Sequence, residues 1–185
     1  TPMLRCFAGE TLSTAGLTKA FDTSWYNTYS AEFVLTTREQ LYGFTMLSNT
    51  MDFNGYTIKL GADIVVNEGN AKDWAKKEPE YMWYPINKFY GTFDGQGHTI
   101  SGLYLDTDIE TSGFIRETYV TATVKNLNIK NSYMRNTTEK NAIIGSVVGR
   151  GRGNFENLYS DAIIVKKTAQ MTGGIAGLVM DVENA

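Results

Sequence analysis

The sequence is poor in the residues on which most catalytic and metal chemistry depends. It holds one cysteine, Cys6, and one histidine, His98, in 185 residues. A lone cysteine closes no internal disulfide and excludes a multi-cysteine zinc or iron–sulfur site. A lone histidine makes any Ser-His, Cys-His or multi-His arrangement depend on that single residue. Basic residues are not in excess either: 17 Lys and Arg against 20 Asp and Glu give a net charge of −3. The phosphate-neutralising surface of a nucleic-acid binder is therefore missing. No apolar stretch approaches the roughly 20 residues that span a bilayer, and no secretion signal opens the chain. The absence of Met at Thr1 fits a processed or excised chain whose export signal, if it had one, is gone.

What is present is ordinary globular material. Hydrophobic residues make up 42% and charged residues 20%, with 18 Gly for tight turns and only 3 Pro. The length suits one elongated domain that buries a core without disulfides. Residues 1–35 are rich in Thr and Ser, with scattered Phe21, Trp25, Tyr26, Tyr29 and Phe33 but no sustained period, and are read as a lead-in segment. Within residues 36–50, Thr is followed three positions later by Glu or Gln, which is a helix-start signal, and Leu41, Phe44 and Leu47 recur every third residue. This pattern predicts a short amphipathic helix over 37–49 that covers the end of the fold.

Beyond the helix the period changes to two. Tyr56, Ile58 and Leu60 alternate with polar residues, and Ile64 and Val66 continue in phase, as strands do. The chain also begins to repeat itself. Phe53-Asn54-Gly55-Tyr56-Thr57-Ile58 is echoed by Phe93-Asp94-Gly95-Gln96-Gly97-His98-Thr99-Ile100. Val124 to Ile129 lines up with Phe155 to Ser160 at a spacing of 31, and Gly102-Leu103 precedes Asn126-Leu127 by 24. A second series runs Ser112-Gly113-Phe114-Ile115, Gly145-Ser146-Val147-Val148 and Ala176-Gly177-Leu178-Val179, at spacings of 33 and 31. Two interleaved strand motifs at such intervals mark a solenoid, because each strand buries its apolar side only when equivalent strands stack on it. The fold expected is mainly β, a right-handed parallel β-helix with a short N-terminal capping helix. Residues 36–185 would form it as part of a longer repeat region, with Leu103, Leu127 and Leu158 in one inward column.

The segment Gly91-Thr-Phe-Asp-Gly-Gln-Gly-His-Thr-Ile-Ser-Gly-Leu-Tyr-Leu105 resembles the opening coil of bacterial surface proteins that carry GLUG repeats. The helix with Leu41 and Leu47, Trp83 with Pro85-Ile86, Gly113-Phe114, the x-Asn-Leu strands at Asn126-Leu127 and Asn157-Leu158, and Gly173 to Val179 follow the same order. The likeness covers roughly residues 33–180, and departs from the pattern at Ser146 and Met180, where glycine is usual. It implies a β-helix of secreted or cell-wall proteins, including adhesin-like proteins and non-catalytic regions of some immunoglobulin-A proteases. It carries over no catalytic residue and no cofactor.

Candidate chemistry is sparse. His98 and Asp94 lie in one turn, where Asp bonds backbone amides. Asp106, Asp108 and Glu110 alternate as Ca²⁺ ligands would, but lack the glycine and closing acid of an EF-hand, and read as a solvated edge. Gly149-Arg150-Gly151-Arg152-Gly153 lacks the third Gly or Lys of a phosphate loop and reads as a mobile turn. The aromatic insertion between the two Phe-x-Gly turns is the candidate ligand-binding element: Trp74, Tyr81, Trp83 and Tyr84, with Phe89, Tyr90 and several Lys and Glu. Trp74 and Tyr81 are expected to be the most exposed. The function expected is a non-catalytic, secreted or cell-surface structural or adhesive module of a bacterium. It would bind a host glycan or extracellular protein through its loops and stack with further repeats or end to end with itself. The competing readings are a polysaccharide-cleaving β-helix enzyme, since the architecture alone does not decide, and an accessory domain of a larger surface protease.

Overall fold

A computed structural model describes residues 20–139, 141–167 and 171–180. Cys6 and residues 181–185 lie outside them. In chain order, the upper part comprises β1 (Glu32–Leu35), α1 (Arg38–Leu47), β2 (Thr57–Leu60), β3 (Ile64–Val65) and β4 (Ile86–Phe89). One full turn follows: β5 (Thr92–Asp94), β6 (Thr99–Ser101), β7 (Tyr104–Thr107), β8 (Thr111–Ser112) and β9 (Ile115–Thr118). The second turn is β10 (Thr123–Lys130), β11 (Tyr133–Asn136), β12 (Ile143–Gly145) and β13 (Val148–Gly151). The third is β14 (Asn154–Ser160), β15 (Ile163–Lys166), β16 (Met171–Gly173) and β17 (Ala176–Val179). Like strands of successive turns pair in parallel, so the chain winds as a β-solenoid of about three turns, as its alternating pattern predicts.

Register corrects three details of the expected repeat. Leu127 does stack on Leu158, but Leu103 lies on another face, since Tyr104 pairs with Tyr133 and the Leu103 amide donates to Ser132 Oγ. An x-Leu pair at a turn corner mimicked the strand motif. Phe93 stacks on Ile58, not under Phe53. In the second series Gly145 pairs with Gly173 and Val148 with Ala176, so the third copy is Gly173-Gly174-Ile175-Ala176, three residues before the segment expected. Both segments are small-residue and apolar, and a change in corner length between turns hid which one stacks.

The x-Asn-Leu motif has a physical cause that periodicity does not reveal. Asn126 and Asn157 take positive φ, 52° and 50°, a conformation Asn tolerates better than most residues. Their side chains form a ladder: the Asn157 amide donates to Asn126 Oδ1, and the Asn126 amide to Asp94 Oδ1, each at 3.0 Å. Gly95 lets this corner close, since a Cβ there would meet the Asn126 carbonyl oxygen at 2.4 Å. The outward positions beside it alternate in charge, Lys59, Asp94, Lys125 and Glu156 pairing in sequence down the sheet. Opposite charges on paired strands favour this register over its neighbours.

Helix α1 closes the upper end of the core. Thr37 caps it by accepting from the Gln40 amide, and the Gln40 side chain accepts in return from the Thr36 amide at 2.8 Å. Leu41 and Phe44 are fully buried, whereas Leu47 is half-buried. The Phe44 ring packs edge-on to Phe53 at 4.8 Å and lies parallel to Phe93 at 6.0 Å. The lead-in, which carried no pattern, contributes β1 to the first sheet through its pairing with β2. It also adds Phe21 and Trp25 around the helix, packed on Tyr42 and on Phe33 and Phe44.

Candidate functional site

Residues 66–85 replace the strands that a full turn would place between β3 and β4. A Gly/Asn-containing turn, Glu68-Gly69-Asn70, leads into a 3-10 turn, Ala71–Asp73, which Asn70 caps by accepting from the Lys72 amide. The segment then runs without regular structure to β4. It is tied to the solenoid at both ends. Near its start, the Asn131 side chain accepts from the Ala71 amide at 3.0 Å and donates to the Gly69 carbonyl at 2.9 Å. Near its end, the buried Asn67 side chain accepts from the Tyr81 amide and donates to the Tyr81 and Gly102 carbonyls. Only glycine fits at 102, where φ is +78° and a Cβ would meet the Asn67 carbonyl oxygen at 2.1 Å. The Tyr42 hydroxyl adds a bond to the Met82 carbonyl at 2.7 Å.

The four candidate binding aromatics divide. Trp83 is fully buried, donates from Nε1 to the Phe114 carbonyl and stacks on the Phe114 ring, so no ligand reaches it. Trp74, expected among the most exposed, is 5% exposed and packs edge-on against Tyr104. It belongs to a small outer cluster with Ala71, Tyr104 and Tyr133. Its apolar rings find a partner in the stacked Tyr104–Tyr133 pair, and that burial outweighs the exposure suggested by its charged neighbours. Tyr84 is half-buried against the main core. Tyr81 is also half-buried, with the Arg38 guanidinium 3.9 Å from its ring centre. Of the two flanking rings, Phe89 is buried in the core, while Tyr90 stacks on Tyr119 at 4.2 Å.

Between this segment, the start of α1 and the end of β3 lies a cleft of about 440 Å³. Trp74 and Tyr81 line it, together with Glu68, Asp73, Glu78 and Glu80. Arg38 and Lys77 supply the positive charge, but Arg38 is already paired with Glu39 at 2.8 Å. A hydrogen bond to Glu80, with some desolvation, raises the Tyr81 hydroxyl above its ordinary pKa. Neither Arg38 nor the Asn67 and Asn131 clamps stood out in the sequence; the Glu68-Gly69-Asn70 turn directly after Val65-Val66 was the one local signal for them.

The other candidates have structural partners. Asp94 and His98 do not pair. Asp94 accepts from the Gln96 amide and the Asn126 side chain, both at 3.0 Å, while His98 Nδ1 lies 3.1 Å from Asp63. Burial would raise the Asp94 carboxyl, but bonds from Asn126 and Gln96 and the Lys125 charge together hold it below its ordinary value. The Thr99 amide and His98 hold Asp63 down in the same way. Asp106 forms an ion pair with Arg135, raising the guanidinium's pKa further, while Asp108 and Glu110 face solvent. Among the described residues no group of three or more His, Cys, Asp or Glu side chains is placed to hold a metal ion. Residues 149–153 are not a free turn: Gly149 to Gly151 belong to β13, Arg150 pairs with Glu117 at 3.6 Å, and the Arg152 amide donates to the Thr118 carbonyl. The two Arg side chains sit beside repeating strands, which the glycines had disguised. No described helix is long and apolar enough to cross a membrane.

Comparison with family models, with curated proteins and with solved structures finds no match to this chain.

Proposed function

We propose that the chain is a non-catalytic structural and adhesive module of a bacterial surface or secreted protein, and that the segment at 66–85 is its recognition element. The carrying observation is that this segment, inserted where a plain turn would be, is clamped at both ends by Asn67 and Asn131 around a charged cleft. A loop held this firmly loses little freedom when it binds. The GLUG-like motifs support the extracellular setting. Several outward carboxylates are engaged in ion pairs, Glu32 with Lys59, Asp94 with Lys125 and Glu117 with Arg150, an arrangement that favours a stacked scaffold over an acid–base pair. The outer edges of β14, β15, β16 and β17 have no partner strand among the described residues, which suits stacking of a further similar turn, in cis or from a second copy.

A glycan-array and extracellular-matrix binding screen tests this reading, run on the parent and on a variant in which exposed Glu68, Asp73, Glu78 and Glu80 are all changed to Gln. Binding that the parent shows and the variant loses, with unchanged melting, supports recognition by the cleft. Binding that survives in the variant, or none in the parent, contradicts it.

A further inference from the structure

We infer that the cleft takes a neutral saccharide, whose hydroxyls accept from the Trp74 indole N–H and donate to the carboxylates on the rim. This inference rests on the recognition role proposed above and names the class of ligand. Trp74 is more than nine-tenths buried, and its Nε1, which makes no hydrogen bond among the described residues, is the part of the ring that keeps contact with solvent. The nitrogen lies at the cleft wall, 3.8 Å from where a Cβ on Gly69 would sit. A donor fixed in place by the Tyr104 cluster and left unpaired at the wall of a cavity calls for an acceptor on the occupant.

The surrounding charges decide what else that occupant carries. Glu68, Asp73, Glu78 and Glu80 are acceptors only, Arg38 is already neutralised by Glu39, and Lys77, the remaining cation of the lining, is outnumbered four to one. A carboxylate ligand would satisfy Trp74 but meet four like charges. An ammonium would satisfy the carboxylates and leave the indole N–H unpaired. A hydroxyl both accepts and donates, so a polyhydroxyl ligand fits both sets at once. The cleft falls within the ~300–1,000 Å³ of small-molecule sites. Its fixed walls suit a ligand whose polar groups are themselves fixed on a ring.

The test uses ¹H–¹⁵N spectra of the labelled protein, in which each Trp gives one indole resonance and Trp74→Phe identifies that of Trp74. Cellobiose, maltose, lactose and mannobiose are titrated in, alongside digalacturonate and trilysine. At least one neutral disaccharide should shift the Trp74 indole and the backbone amides of 67–81 saturably, leaving the Trp83 indole in place. Trp74→Phe should weaken that binding about fivefold through loss of one neutral hydrogen bond, and Glu78→Gln with Glu80→Gln should weaken it further. If no neutral disaccharide shifts Trp74 but trilysine or digalacturonate does, the ligand class is wrong and the recognition role stands. If no probe of any class moves residues 67–81 and the binding screen is also negative, both fall.

Discussion

The first and last turns of this solenoid use similar strand patterns and arrive at different burial. At the upper end, α1 lays Leu41 and Phe44 over the turn containing Phe93, and Trp83 stacks on Phe114 with Tyr42 tilted against its other side, so each of these side chains is enclosed. At the lower end, β14 and β15 carry Phe155, Leu158 and Ile164 inward and the corner before β17 carries Ile175, yet all four are only half-buried, and Val165 and Val179 are exposed. The central turn, with neighbours on both sides, buries Val124, Leu127, Ile129, Ile144 and Val147 completely. An inward position in a solenoid is therefore not by itself a core position. Burial needs a turn or cap on each side, which makes stability a sum over interfaces between turns.

Perturbing the two ends should give unequal effects. The largest is expected at the helix: Leu41→Asp or Phe44→Asp places a charge in a sealed aromatic core and should cost more than about 4 kcal/mol, with loss of solubility. Val179→Asp, at a position 55% exposed, should change stability by less than about 0.5 kcal/mol. Urea unfolding of both variants checks this, and equal losses would erase the difference between the ends. The asparagine ladder gives a second, smaller contrast. Asn126→Ala loses bonds above and below and places Ala at positive φ, at a cost of about 2 kcal/mol. Asn157→Ala loses one exposed bond and the same φ tolerance, and should cost about half as much. Asn126→Gly, which keeps the backbone conformation, should recover part of the loss.

The outline of the fold was legible because its cause is repetitive: period-two apolar residues, recurring glycines and the x-Asn-Leu motif each register one strand. Register was less so, because Leu103 at a corner and Leu127 in a strand present the same local pattern. Corner lengths also vary from turn to turn, which shifted the last Gly-rich copy by three residues. At the insertion, composition located the aromatic cluster but could not say which ring faces outward. Trp74 and Trp83 are buried by Tyr104 and Phe114, far along the chain, and no local pattern carries those partners.

The smallest expected effect is a pH dependence of the ladder. The Asp94 carboxyl sits below its ordinary value of 3.8 in the folded chain. Its charged form thus contributes stability that is complete above the unfolded-state value and is lost as pH falls through the lower folded one. Between pH 5 and pH 3, Asp94→Asn should flatten part of the decline in melting temperature. A variant that declines as steeply as the parent would show that Asp94 adds nothing to it.

Native-state hydrogen exchange tests the central claim most directly, because it reports the free energy of opening segment by segment. Amides in β5, β6 and β10 to β13 should be the most protected, exchanging only with global unfolding. In the 185-residue chain kept monomeric, with nothing stacked on the outer edge, those of β14 to β17 should exchange together at a distinctly lower free energy, even where they bond the turn above, as Ile163 does to the Ser132 carbonyl at 2.8 Å. Protection in the last turn equal to that of β10 would contradict an account in which burial and stability come from having a neighbour on each side.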